Sequence, residues 1–289
     1  MAAWMDRSGA RRGAVATILA ILLVGSVASA QRRGGRGGRG GREGAFGYGR
    51  AAKLATMDDF DGSFQFCRIV FQQASNGDGG GWGVDWPRAD ENLSIRLSEL
   101  TKTPVGFDVA GDPKPLLLRL TQPELFHCPF VMMTEPGAAY FDDAEAAALR
   151  KYLLKGGFLW ADDFWGEYAW QFWDSQIRKV LPSGPYPVVD LPLDHPIFHL
   201  LMTVPKIPQI PSINFYLGTG QTSERGRDSA VPHVRAINDE HGRMMVLITH
   251  NTDFGDSYER EGESHEYFER FSVPGYAFGI NAIVYTLTH

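Results

Sequence analysis

Apolar residues fall at helical spacing through Ala146, Leu149 and Leu153, then close up into the unbroken run Phe158-Leu159-Trp160-Ala161. The first spacing lays one apolar stripe along an α-helix, and the second reads as a short strand buried on both faces. The ends of both elements are written into the same stretch. Asp142, with Glu145 three residues on, supplies a capping box, Lys151 and Lys155 lie toward the negative end of the helix dipole, and Gly156-Gly157 stops the helix. The strand ends in two carboxylates, Asp162 and Asp163. Ligand sites of parallel α/β sheets gather outside the carboxyl ends of strands, so this stretch predicts a fold class and a candidate site together.

Elsewhere the pattern predicts strands over 66–71, 129–134 and 187–191, a weaker one over 105–109, and a strand pair over 233–238 and 244–250 around a turn at 239–242. One helix is predicted from a cap at Asp90 through Leu93, Leu97 and Leu100. A second covers 166–181, with Trp170, Trp173, Ile177 and Val180 on one side. The last covers 278–288, with Ile280, Ile283, Val284 and Leu287 inward. Strands alternating with helices predict a three-layer α/β fold, its central sheet mostly parallel and flanked by helices. The late strand pair predicts an antiparallel edge addition.

The amino terminus stands apart. Arg7, Arg11 and Arg12 head an apolar run over 14–27, and Ala28-Ser29-Ala30 follows, the order of a secretory signal peptide. Residues 1–30 are therefore expected to be a cleaved export signal, with an uncleaved anchor as the alternative. Residues 31–60 begin with Arg-Gly-Gly spacing that can build no core and read as a basic, disordered linker. Residues 61–289 are expected to form a single α/β domain. Nine Arg against Asp6 and Glu43 put +7 on residues 1–50, and since the whole chain is −6 the remainder carries −13. An acidic folded part argues against nucleic acid and for cations or cationic partners. Membrane contact is expected only through an uncleaved amino-terminal segment or the basic linker. Cys67 and Cys128 each sit in an apolar, strand-like stretch and read as buried thiols, with pairing in an oxidising compartment left open.

Three stretches carry candidate chemistry. A glycine-rich loop over 75–83 follows the first predicted strand but lacks the P-loop ending and the dinucleotide-binding spacing, so it reads as a flexible loop packed by Trp82 and Trp86, with a lid over the strand ends as the alternative. Asp162, Asp163 and Glu167 form a first acidic cluster among Trp160, Phe164, Trp165, Tyr168 and Trp170. Carboxylates beside aromatic rings suit a sugar-like ligand. The second cluster, Asn251, Asp253 and Asp256 followed by Glu259, resembles a calcium loop without meeting the EF-hand pattern. Ligand contacts are expected from Asp162, Asp163, Glu167, Asn251, Asp253 and Asp256. Metal candidates are Asp253, Asp256 and Glu259. Catalytic candidates are Asp162, Asp163 and His195, the last in the one local Asp-His pair, Asp194-His195. No cofactor is firmly implied, while a divalent cation is compatible with the acids. The motifs of zinc peptidases, redox thiols and serine hydrolases are absent from the sequence.

With Trp86-Pro87 leading to Asn92-Leu93, the segment 149–163 with its Gly pair, Asp194-His195-Pro196-Ile197-Phe198, Asn251-Thr252-Asp253-Phe254-Gly255-Asp256 and Gly279-Ile280-Asn281 with Tyr285, the chain resembles the bacterial domain of unknown function (DUF) family 4159 over roughly residues 63–289. That resemblance implies a fold like the class I glutamine amidotransferases, the flavodoxin-like proteins and the ThuA-like proteins, and an envelope role. It departs from the amidotransferases at the turn 161–164, where an aspartate stands in place of the nucleophilic cysteine. The expectation is therefore an exported, non-catalytic domain that binds a small polar ligand or an envelope protein. The alternative is a carbohydrate-related or metal-assisted enzyme.

Overall fold

The computed structural model describes residues 52–289. The export signal and most of the basic linker expected from the sequence lie outside the described residues. The elements in chain order are β1 (Cys67–Ile69), β2 (Gln72–Gln73), α1 (Arg88–Leu100), β3 (Leu116–Leu118), β4 (Phe130–Thr134), β5 (Ala139–Tyr140), α2 (Asp143–Leu154), β6 (Phe158–Asp162), α3 (Gly166–Val180), β7 (Val188–Asp190), α4 (Ile213–Thr219), β8 (His233–Asn238), β9 (Met244–His250), α5 (Phe254–Glu259) and α6 (Val273–Thr288).

Seven strands form one sheet in the order β3-β1-β4-β6-β9-β8-β7. The first five run parallel, and β8 and β7 add antiparallel at the far edge. Along β6, Phe158 and Trp160 face one core while Leu159 and Ala161 face the other. The period-two geometry of a strand makes a doubly buried run do this. Leu93 and Leu97 of α1, Phe254 and Tyr258 of α5 and Phe278, Ile280 and Ile283 of α6 fill the first core. Leu149 and Leu153 of α2 and Trp173, Ile177 and Val180 of α3 fill the second. The result is the expected mostly parallel α/β sheet between helical layers, with an antiparallel edge.

Local signals held where they were strong. Asp142 caps α2, accepting from Glu145 N while the Glu145 side chain accepts from Asp142 N. Four expectations are corrected. Residues 105–109 make only isolated bridges, Phe64 with Val105 and Phe107 with Pro113. The strand on that side is β3, three buried leucines in parallel register with β1. Asp90 is no cap, because α1 begins at Arg88 and Asp90 is buried within it. The final helix starts at Val273, and Leu287 is 40% exposed rather than inward. The linker boundary also moves. Leu54 bridges Leu117 at the sheet edge and Ala55 is buried, so the fold has begun before residue 60.

Cys67 and Cys128 are joined in a disulfide across 61 residues, tying the start of β1 to the residue two before β4. A cross-link of that span removes denatured-state freedom worth about 4 kcal/mol on chain-entropy grounds. Reduction, or the Cys67→Ser/Cys128→Ser double substitution, is expected to lower the unfolding free energy by about that amount in urea titrations. An unmoved midpoint would show that the bond contributes nothing.

Candidate functional site

Parallel order puts the carboxyl ends of β1, β4, β6 and β9 side by side, and the connections change direction between β1 and β4. Beyond three of these strands the chain does the same unusual thing. Glu135 after β4, Asp163 after β6 and Asn251 after β9 all adopt positive φ, at 50°, 60° and 61°. Asp85, in the segment that leads from β1 to α1, is the fourth such non-glycine residue described, at 62°. Left-handed backbone at a residue with a Cβ costs on the order of 1 kcal/mol or more, and here it is concentrated at one end of the sheet.

The two acidic bends meet there. Asp162 is fully buried, and one of its oxygens accepts from the Phe254 and Gly255 backbone N–H groups at 2.9 and 3.1 Å, the opening of α5. Its other oxygen accepts from the Thr249 hydroxyl, which in turn accepts from the Trp160 indole N–H at 2.7 Å. Asp253 caps α5 by accepting from Asp256 N at 2.8 Å. Asp85, Asp253 and Asp256 each present an oxygen within 4.8 Å of the other two. Gly255 makes this approach feasible, since a Cβ there would strike the Asp85 carboxylate.

Arg68 holds Asp85 in place from below. The guanidinium is fully buried in β1 and pairs with Asp90 of α1. It also donates to the Trp82 and Val84 carbonyls at 3.1 and 2.8 Å and to the Thr134 hydroxyl at 2.7 Å. One side chain thus joins β1, β4, α1 and the segment that delivers Asp85. Over this end lies the glycine-rich loop. Gly81 N donates to the Glu135 carboxylate, Arg225 pairs with Asp78 at 2.9 Å, and the Tyr168 hydroxyl donates to the Asn76 carbonyl.

A family model described as "Domain of unknown function (DUF4159)" matches residues 66–287. The chain belongs to this family. The match takes in every strand of the sheet and every acid of the cluster. No curated protein matches the chain.

The family domain brings together Asp162, Asp163, Asp253 and Asp256 from the sequence-based candidates, with Glu259 close enough to raise the Asp85 and Asp256 carboxyls electrostatically. Asn251 serves the backbone, accepting from Gly166 N and donating to the Val231 carbonyl. Glu167 lies outside the cluster, exposed and accepting from Gln171. His195 packs on Tyr285 in the last turns of α6 and accepts from Ile197 N. Near it, Leu287 shares a cavity of about 540 Å³ with Cys67 and Pro129, at the amino ends of β1 and β4. His195 therefore belongs to the opposite end of the sheet. The rings expected to line a sugar site are largely core. Trp160, Phe164 and Trp165 are buried, and the Arg235 guanidinium lies 4.4 Å from the Trp170 ring centre.

Asp85 is the acid that sequence reading missed. Burial raises the carboxyls of Asp85, Asp163 and Asp253 well above the ordinary range, and the neighbouring negative charges push the same way. Burial pushes Asp162, Asp256 and Glu135 up to about 7 despite the donors that face them.

Two expectations follow. Between about pH 4 and about pH 7 the folded state binds more protons than the unfolded chain at Asp162 and Glu135. Stability present below that window is therefore lost as pH rises through about 7. The melting temperature of chelator-treated protein should fall across the window, and a rise would contradict the assignment. Arg68→Met leaves Asp90 buried without a partner and should cost about 3–5 kcal/mol or more. Arg68→Met/Asp90→Leu should recover the part due to the unpaired carboxylate but not the part due to the Trp82, Val84 and Thr134 acceptors, which lose their donor in both variants. Equal losses in the single and double variants would show that the pair is not coupled.

Proposed function

We propose that this is an exported domain of the cell envelope that binds a small polar ligand at the carboxyl ends of β4, β6 and β9 and does no covalent chemistry on it. The observation that carries the reading is the convergence of two acidic bends, remote in sequence, on one buried cluster at the sheet end where α/β proteins bind ligands. Binding is favoured over catalysis because the acids are already engaged. Both Asp162 oxygens accept from fixed donors, and Asp163 Oδ1 accepts from the Trp165 indole N–H at 3.0 Å. A small ligand is favoured over an extended sugar, since Asp85, Asp163, Asp253 and Asp256 are each only 4–7% exposed.

Export is supported by the Cys67–Cys128 disulfide, a bond that persists in oxidising compartments. The amidotransferase-like and ThuA-like fold is supported by the parallel order and by the left-handed turn at Asp163 directly after a central strand, the kind of turn on which those enzymes carry their nucleophile. An aspartate there forms no glutamyl thioester. A second reading, a metal-assisted enzyme, draws on Asp162, whose carboxyl at about 7 suits proton transfer near neutral pH.

The test is thermal unfolding of the full chain against divalent cations, polyols, sugars and amines. A ligand that binds only the folded state at a hundred times its Kd stabilises by about 2.7 kcal/mol, and the shift should disappear in Asp163→Asn. No response to any of them at millimolar concentration would remove the binding reading.

A further inference from the structure

Resting on that reading of the site, we propose that Asp85, Asp253 and Asp256 form a binding site for a hard divalent cation. Their oxygens lie within 4.8 Å of one another. Oxygens on opposite sides of an ion bound at about 2.0–2.6 Å are about 4–5 Å apart, so the cluster already has the dimensions of a coordination shell. The three acids reach it from different parts of the fold. Asp253 and Asp256 open α5 beyond β9, and Asp85 arrives from the loop between β2 and α1.

A second observation separates this cluster from a merely acidic surface. Asp85 Oδ2 is buried and has no hydrogen-bond partner among the described residues. A buried carboxylate oxygen without a donor costs roughly 1–3 kcal/mol or more. Yet the fold fixes it there, through the left-handed backbone of Asp85, the grip of Arg68 on the Val84 carbonyl, and a glycine at 255 that leaves room for the oxygen. Arg68 does not neutralise the oxygen by contact, because its guanidinium is spent on Asp90, Trp82, Val84 and Thr134. An ion between Asp85, Asp253 and Asp256 supplies the missing partner.

Ligand type decides which ion. Three carboxylates without imidazole or thiolate suit calcium, magnesium or manganese over zinc or copper. Three protein oxygens leave several of the six to eight positions of such an ion free, and hydroxyl or carboxylate oxygens of a bound ligand can take them. Asp162 touches no ion in this arrangement. It is a positioning residue that fixes the first turn of α5, and with it Asp253 and Asp256, through the Phe254 and Gly255 N–H groups.

The test is equilibrium dialysis of chelator-stripped full-length protein against calcium, magnesium and manganese, with the manganese paramagnetic signal as an independent readout. One ion per chain is expected with a Kd in or below the millimolar range, weakened at least tenfold in Asp85→Asn and in Asp256→Asn. Asp85→Asn should melt no lower than the parent without cation, which separates loss of the ion from loss of the fold. Binding that is undiminished in both variants, or no stoichiometric binding at millimolar ion, overturns the assignment. If a polyol or amine still raises the melting temperature in an Asp163-dependent way while no ion binds, the cation site falls and the broader binding reading stands.

Discussion

A single buried guanidinium sets the geometry on which the acidic end of this molecule depends. Arg68 projects from the second strand of the sheet into a space where α1, β4 and the loop before α1 meet, and it bonds to all three. Its charge is matched by Asp90, so the pair is neutral as a unit. Buried ion pairs of this kind contribute little net stability compared with well-packed apolar groups, but breaking one is costly. Their value lies in specifying one arrangement. Here the arrangement is the path of residues 82–85, and with it the position of Asp85.

The cluster above Arg68 runs against the usual economy of a protein interior. Like charges are gathered, desolvated and held on strained backbone, and every one of these choices opposes folding. The two hydrophobic layers that flank the sheet are continuous and well filled. They supply the stability against which such a concentration of unfavourable terms can be maintained. Strain and buried charge gathered at one end of a sheet, with ordinary packing elsewhere, is the distribution expected where binding rather than stability has shaped the residues.

Much of this was legible in the sequence, for reasons that are themselves local. The α2–β6 unit could be read because its cap, stripe, glycine stop and apolar run lie within some twenty residues. The antiparallel edge was visible in two alternating stretches around a tight turn. The strand β3 was not, because three leucines between Pro115 and Arg119 carry no periodicity and sit close to a more strand-like stretch. The candidate site was half legible. Asp162 and Asp163 end a run of apolar residues, and Asp253 and Asp256 follow another within a few polar residues, so they announce themselves as strand-end acids. Asp85 follows no such run. Its place depends on a long-range bond from Arg68 to the carbonyl before it and on a positive φ that no glycine advertises. Glu167 and His195 misled for the converse reason. Each is chemically suitable and near the right motif, but helix phase turns one outward and chain topology carries the other to the far end.

The margins of the sheet have a consequence for how the protein survives in company. One outer strand is β3, three residues long and bridged by Leu54 from the incoming chain. The other is β7, also three residues, ending in Asp190, where Arg235 and His233 gather. Short, charged or covered borders offer little backbone for a neighbouring molecule to zip onto. A chain built this way presents almost no open ladder at either flank for a second copy to extend, so an encounter between two molecules has little to propagate.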